Sequence, residues 1–387
     1  MAMRGSTNGS VHQVTHEEAI SLLHVSWRTK DPMILWGPPA IGKSDTVRSV
    51  ARSLAQCEGR EYVEWNSFRD KAQLFQSPEK YFVLADHRLT YDDGTMMKGT
   101  PAQVESTRST VWFCDEIIRY ASLSGSMGIL FLDEFNLATT LVQNTAQQLL
   151  LDHCVGDTAL SPDWLVVAAA NRQEDRAFVH ETSTTVNTRM ATHAELLPPS
   201  SDAWCEWAAN HGIDGRIIAF IAWKPSALYR FDPKSKEKAQ ATPRTYEFLS
   251  RKIQGVEDTK EIMLLSATTI GPSTGAEFTA FVRINERIPR IEDVLDGKWE
   301  MKPEDEISLG WAVVGSIAEY YKQHKSKDVL GKIIDLCADE KVPDEFQVLL
   351  MRMVKGVDER FFRAGVTQMP RFYKLAPKIS KLVPDRK

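Results

Sequence analysis

Gly37-Pro-Pro-Ala-Ile-Gly-Lys-Ser44 satisfies G-x-x-x-x-G-K-[ST], a spacing at which a glycine-rich turn can wrap its backbone amides round phosphate oxygens. Glycine permits the close approach, the helix that follows directs its positive end at the anion, and the Lys43 ammonium reaches the β and γ groups. The Ser44 hydroxyl would sit on Mg²⁺. Gly37, Pro38, Pro39, Ala40, Ile41, Gly42, Lys43, Ser44 and Asp45 are therefore the candidate nucleotide-binding residues. A second constellation is Ile129-Leu-Phe-Leu-Asp133-Glu134, an apolar run that ends in two acids. A strand buried on both faces must carry its charge at its end, where Asp133 is suited to hold Mg²⁺ directly or through water. Glu134 can orient and deprotonate an attacking water. Each pattern alone has a bland reading, a chance glycine turn or an acidic helix start; their pairing in one chain points to hydrolysis of ATP.

These residues need elements that hold them. Met33–Trp36 is a short apolar run stopped by Gly-Pro-Pro, as a buried parallel strand stops, and Val47, Val50, Ala51 and Leu54 then recur at helical spacing. The loop thus lies between strand and helix. Further strand-like runs are Tyr62–Trp65, Ile129–Leu132, Trp164–Ala169 and, more weakly, His193–Leu197, alternating with helical patterns such as Leu141–Leu151. That alternation predicts an α/β unit with a doubly wound parallel sheet. Thr15 and Glu18 have the spacing of a capping box that opens a helix running to about Arg28, and residues 1–13 are expected to be disordered.

The expected boundaries are 14–199 for the nucleotide-binding unit, ended by Leu-Leu-Pro-Pro-Ser-Ser, 200–290 for a small helical domain, and 291–387 for a mostly helical region without a chemical motif. Within the second part, Trp204–Trp223 reads as helical, and Thr242-Pro243 supplies an N-cap and a first-turn proline.

Composition narrows the partners. The 387 residues carry 47 Lys and Arg against 52 Asp and Glu, a net charge of −5, so no global basic field exists to hold nucleic acid or an anionic membrane. The tail from Pro370 to Lys387 is locally basic with Phe372 and Tyr373 interleaved, and reads first as a solvated helix face. No apolar run approaches the roughly 18–20 residues of a spanning helix, and the start lacks the apolar stretch of a secretory signal. A cytoplasmic protein is expected. The five cysteines are odd in number and scattered, with neither zinc spacing nor a disulfide framework.

With both motifs in place the chain resembles the AAA+ ATPases, and within them the MoxR-like group. Trp164-Leu-Val-Val-Ala-Ala-Ala-Asn171 looks like the strand that ends in the sensor-1 asparagine. Arg189, in Asn-Thr-Arg-Met190, matches the place of the arginine finger, with Arg172 and Arg176 as competitors, and Arg244 in Thr-Pro-Arg-Thr245 is similar to the sensor-2 arginine of a lid helix. Asp86-His-Arg-Leu89 with Gly99-Thr-Pro101 resembles the lead into the group's inserted hairpin. The likeness spans roughly residues 15–290. Ala40 departs from it where many such loops have glycine, and Met190 where the group often has phenylalanine.

The resemblance implies catalytic roles for Glu134, Lys43, Asn171, Arg189 and Arg244, with Ser44 and Asp133 at Mg²⁺. It also implies an oligomeric ring, expected as a hexamer, that remodels a protein client, with a von Willebrand factor A domain protein as a possible partner. Asn66 reads first as a turn asparagine, with the alternative, offered by the resemblance, that it holds Glu134 in an idle orientation. Surface or interdomain ion pairs are the plain alternatives for the arginines, and a strand-end cap for Asn171. Two rival functions stay open at this point: a nucleic-acid motor or loader, and a structural protein gated by nucleotide without turnover.

Overall fold

A computed structural model describes residues 11–91, 99–104, 109–175, 184–284, 290–298, 307–339 and 341–375. The chain divides into two compact units, Met1–Pro198 and Pro199–Lys387.

The first unit is built on strands β1 (His12–Val14), β2 (Met33–Trp36), β3 (Glu61–Glu64), β4 (Tyr81–Arg88), β5 (Thr100–Val104), β6 (Ser109–Phe113), β7 (Gly128–Asp133), β8 (Cys154–Val155), β9 (Thr158–Ala159), β10 (Trp164–Ala170) and β11 (Thr192–Leu196). Seven of them form one sheet in the order β1-β11-β2-β10-β7-β4-β3, and every pairing in it is parallel. The reason lies in the residues: all seven of Trp164–Ala170 are buried, the near-continuous apolar pattern of a strand covered on both faces. The fold is thus the α/β arrangement with a parallel sheet predicted from the alternation of strands and helices, and it is consistent with the P-loop AAA+ fold that the resemblance implies. β5 pairs antiparallel with β6, which sets a hairpin directly after Gly99.

Two features of this unit were not read from the sequence. β4 is a central strand, between β7 and β3, and follows β3 through only the six-residue helix Lys71–Gln76 and a short turn at Pro78–Lys80. Order also begins before residue 14: His12–Val14 pairs with Ala194–Leu196, and Val14 is buried against the core.

The helices that matter for the site are α1 (His16–Thr29) and α2 (Lys43–Cys57). The Thr15–Glu18 capping box is present at the start of α1, with the Thr15 amide donating to Glu18 Oε2 at 2.8 Å. α2 starts inside the glycine loop, with Gly42 at its N-cap and no side-chain cap hydrogen bond. A helix N-terminus presents its first backbone amides toward an anion.

The second unit is helical. Its apolar cluster draws on residues from Trp204 to Leu375, so residues on either side of 290 share one core. The expected Trp204–Trp223 helix is two helices, Ser201–Asn210 and Gly215–Trp223, separated by a turn in which Gly212 has φ 70°. Gly215 lies against Gly315 of the helix Ile307–Gln323, where a Cβ on Gly215 would meet the Gly315 carbonyl oxygen at 2.8 Å. Only glycine allows these two backbones so close. Of the basic tail, Phe372 is buried and Arg371 pairs with Asp335 at 2.9 Å; residues 376–387 lie outside the described residues. No helix among the described residues is long and apolar enough to cross a membrane.

Candidate nucleotide site

In the sheet order, β2, β10, β7 and β4 are consecutive and parallel, so their carboxyl ends lie side by side at one edge. Trp36 is paired with Ala170, Leu132 with Ala168, and Asp133 with Arg88. The residues that follow each strand therefore converge: Gly37, Asn171, Glu134 and Thr90. This is the edge at which open α/β sheets bind ligands.

The loop after β2 is shaped by its backbone. Gly37 donates its amide to Ala170 O at 3.2 Å, and a Cβ there would stand 2.8 Å from the Leu196 carbonyl oxygen. Ala40, the residue that departs from the family pattern, has φ 60°. It takes the left-handed conformation that glycine adopts freely, at a cost of about 1 kcal/mol. Gly42 has φ 101° and its carbonyl accepts from the Thr46 amide at 2.8 Å, which starts the helix.

Lys43 is buried and turned into the loop. Its Nζ donates to Gly37 O at 2.7 Å, Pro38 O at 2.9 Å and Asn171 Oδ1 at 3.1 Å. The ammonium is thus held at the mouth of the amide cradle and tied to the end of β10. Asn171 is itself bracketed by Asn136, whose Oδ1 accepts from the Asn171 amide at 3.0 Å and whose Nδ2 donates to Asn171 O at 2.7 Å.

Ser44 Oγ donates to Asp133 Oδ2 at 2.8 Å, and Asp133 Oδ1 accepts from the Glu134 amide at 2.8 Å. A hydroxyl beside a fixed carboxylate is an all-oxygen set of the kind Mg²⁺ takes, with phosphate and water completing its shell. Among the described residues no group of three or more His, Cys, Asp and Glu is gathered to hold a metal without such help. The residues present therefore fit a magnesium that arrives with nucleotide.

Glu134 adopts φ 57° and ψ 35° at the turn after β7, and its Oε2 accepts from Thr90 Oγ1 at 3.0 Å. Of the two readings of Asn66, the alternative in which it holds Glu134 is not met: Asn66 Nδ2 donates to Asp86 O at 2.6 Å instead. The reason is topological. β4 lies between β3 and β7, so a residue after β3 is one strand too far away, and the residue after β4 takes the place.

The surrounding charges are arranged around Arg48 of α2. Its guanidinium meets Glu64 at 3.1 Å, Asp45 at 3.4 Å and Asp86 at 3.9 Å. Burial, and after it the charge of Asp133, raises the Asp86 carboxyl above the usual carboxylate range. On the other side of the loop, His16 Nε2 lies 3.0 Å from Ile41 O, and burial lowers its pKa despite that bond and the charge of Asp45.

The arginines fall into different settings. Arg172 is held by Asp175 and by Glu195, at 2.8 Å and 3.2 Å, and these partners fix its charge more firmly than usual. Arg189 follows the short helix Thr184–Asn187, donates to the Gln147 side chain, and is followed by the buried Met190, which fills an apolar position in the core. Arg176 lies outside the described residues. Arg244 belongs to the second unit: it is exposed in the first turn of the helix Pro243–Ile253, which is capped by Thr242 as expected. Sequence reading missed Thr90 and Asn136. The signal for Asn136 was a polar residue two places after the acid pair, and for Thr90 there was none without β4.

Residues 33–179 match the family described as ATPase family associated with various cellular activities (AAA), so the chain carries an AAA domain. No curated protein matches the sequence. Among solved structures, PCH-2 of C. elegans is similar at 14% identity over 71% of this chain and 70% of that chain, with a TM-score of 0.33. A RuvB mutant of Thermotoga maritima is similar at 13% identity over 73% and 76%, with a TM-score of 0.32. NtrX from Brucella abortus, in complex with ADP, is similar at 11% identity over 95% and 67%, with a TM-score of 0.28. At these scores none of the three adds to the argument.

Proposed function

We propose that this AAA-domain chain is an ATP hydrolase of the MoxR-like type that works as a ring, a hexamer, to remodel or activate a protein client. The observation that carries the reading is the convergence of Lys43, Ser44, Asp133 and Asn171 at one sheet edge, through the bonds Lys43–Asn171 at 3.1 Å and Ser44–Asp133 at 2.8 Å. The loop amides and Lys43 bind and orient the triphosphate, with the first turn of α2 aimed at it. Ser44 and Asp133 would hold Mg²⁺, which when bound neutralises charge on the β and γ oxygens. Glu134 takes the proton of the attacking water, and Asn171 fixes that water against the γ-phosphate. Arg189 serves a neighbouring subunit, which makes hydrolysis depend on assembly. The double carboxylate lock on Arg172 supports Arg189 for that part. Arg244 acts from the helical lid, and the work on the client is cytoplasmic, with a von Willebrand factor A domain protein as partner.

The test uses purified full-length chain. Lys43→Ala should lose ATP binding; Glu134→Gln should bind ATP and turn it over very slowly; mixing Arg189→Ala with Lys43→Ala subunits should recover part of the activity at mixed interfaces. Unchanged nucleotide affinity in Lys43→Ala would remove the site. Stimulation of turnover by DNA or RNA, steep in salt, would replace the protein client by a nucleic acid.

A further inference from the structure

Trp36 is the last residue of β2 and the one before the phosphate loop; the turn that bears Arg189 begins at Asn187, the last residue of its short helix. One side chain joins them. We propose that His193 of β11 is a positioning residue that couples the start of the phosphate loop to the Arg189 turn. The proposal rests on the reading of Arg189 given above and goes beyond it.

The geometry is specific. β2 and β11 are paired with His193 opposite Ile34, so Trp36, two residues along, lies on the same face as the histidine. Trp36 Nε1 donates to His193 Nδ1 at 3.3 Å, and the two ring planes lie within 11° of parallel with centroids 6.4 Å apart, the geometry of an in-plane bond between ring edges. Indole N–H is a donor only, so Nδ1 must be the acceptor and the neutral ring carries its hydrogen on Nε2. That hydrogen points to Asn187 O, 2.8 Å from Nε2. A single tautomer satisfies both bonds at once.

The far end is stiff. The Arg189 amide donates to Val186 O at 3.0 Å, the Ala191 amide to Pro32 O at 2.9 Å, and both Val186 and Met190 are buried. The turn therefore moves with its anchors, and the Asn187 carbonyl is the anchor that leads back to the loop. A displacement of Trp36 when the loop takes up phosphate reaches Asn187 through one ring, without crossing the sheet. A ring kept only for packing would need neither nitrogen.

Steady-state turnover and MgATP affinity of full-length variants test this. His193→Phe keeps the ring and loses both bonds; kcat should fall about 10-fold while affinity stays within about twofold. His193→Gln, which can both accept and donate, should return kcat to within about threefold of the parent. Trp36→Phe, which removes only the indole N–H, should give a smaller loss of the same kind. On an Arg189→Ala background His193→Phe should cost nothing further, because the two residues act as one unit. A loss in Arg189→Ala with none in His193→Phe, or losses that multiply in the double variant, overturns the coupling. No loss in Arg189→Ala itself removes the reading beneath it, a different outcome from either.

Discussion

Thr90 Oγ1 donates a 3.0 Å hydrogen bond to Glu134 Oε2, so the carboxylate offered as the base is held by a hydroxyl from the end of the neighbouring strand. A carboxylate that spends one oxygen on Thr90 is drawn toward β4. The bond is neutral to charged and exposed, which makes it a latch that can open. Replacing Thr90 by valine keeps the shape and removes the donor. The expected outcome is basal ATP turnover raised about 3- to 10-fold with nucleotide affinity unchanged, the scale of one such bond. Turnover that falls instead would assign Thr90 to aiming Glu134 at water, and the latch would be wrong.

Asn136 makes the second prediction. It is buried, and both ends of its amide are spent on the backbone of Asn171. Asn136→Ala leaves a backbone N–H and a C=O without their partner at the end of β10, which costs about 1–3 kcal/mol for an unsatisfied buried group. Chemical denaturation should show that loss. Turnover should fall as well, because Asn171 also accepts from Lys43. Asn136→Asp retains only the acceptor and should recover part of the stability; full stability in Asn136→Ala would show that the bracket does not hold Asn171.

The third concerns pH. Burial lowers the pKa of His16 from its ordinary 6.5, so the unfolded chain binds the proton more readily than the folded one. Unfolding stability must then rise with pH across the window from the lowered value up to about 6.5, and fall as pH drops through it. In thermal melts without nucleotide between about pH 8 and pH 5.5, the parent should lose more of its melting temperature on acidification than His16→Asn. Equal slopes for the two proteins would exclude His16 as the group responsible.

The candidate site was legible in outline because its two motifs are local. Eight residues from Gly37 to Ser44 specify a turn by their own conformational freedom, and the run ending at Asp133 and Glu134 specifies a buried strand with its charge at the tip. The capping box at Thr15 and the N-cap at Thr242 with its first-turn proline were legible for the same reason, since each is complete within four residues. The single long helix expected over 204–223 failed at a glycine turn, and β4 was missed although its first five residues, Tyr81–Ala85, form a buried apolar run, because the helix that separates it from β3 is only six residues long.

What the sequence determined by itself is which groups are present and how they are spaced: a glycine-rich turn with a lysine and a hydroxyl, and two acids after an apolar strand. What tertiary structure alone decided is who holds these groups. Lys43 meets Asn171 across 128 positions and Glu134 meets Thr90 across 44. Such pairs depend on the order of strands in the sheet, and a short-range pattern does not encode that order. Inserting one strand between β3 and β7 moved the partner of Glu134 from Asn66 to Thr90, because neighbouring strands lie about 4.8 Å apart and a hydrogen bond cannot reach past one.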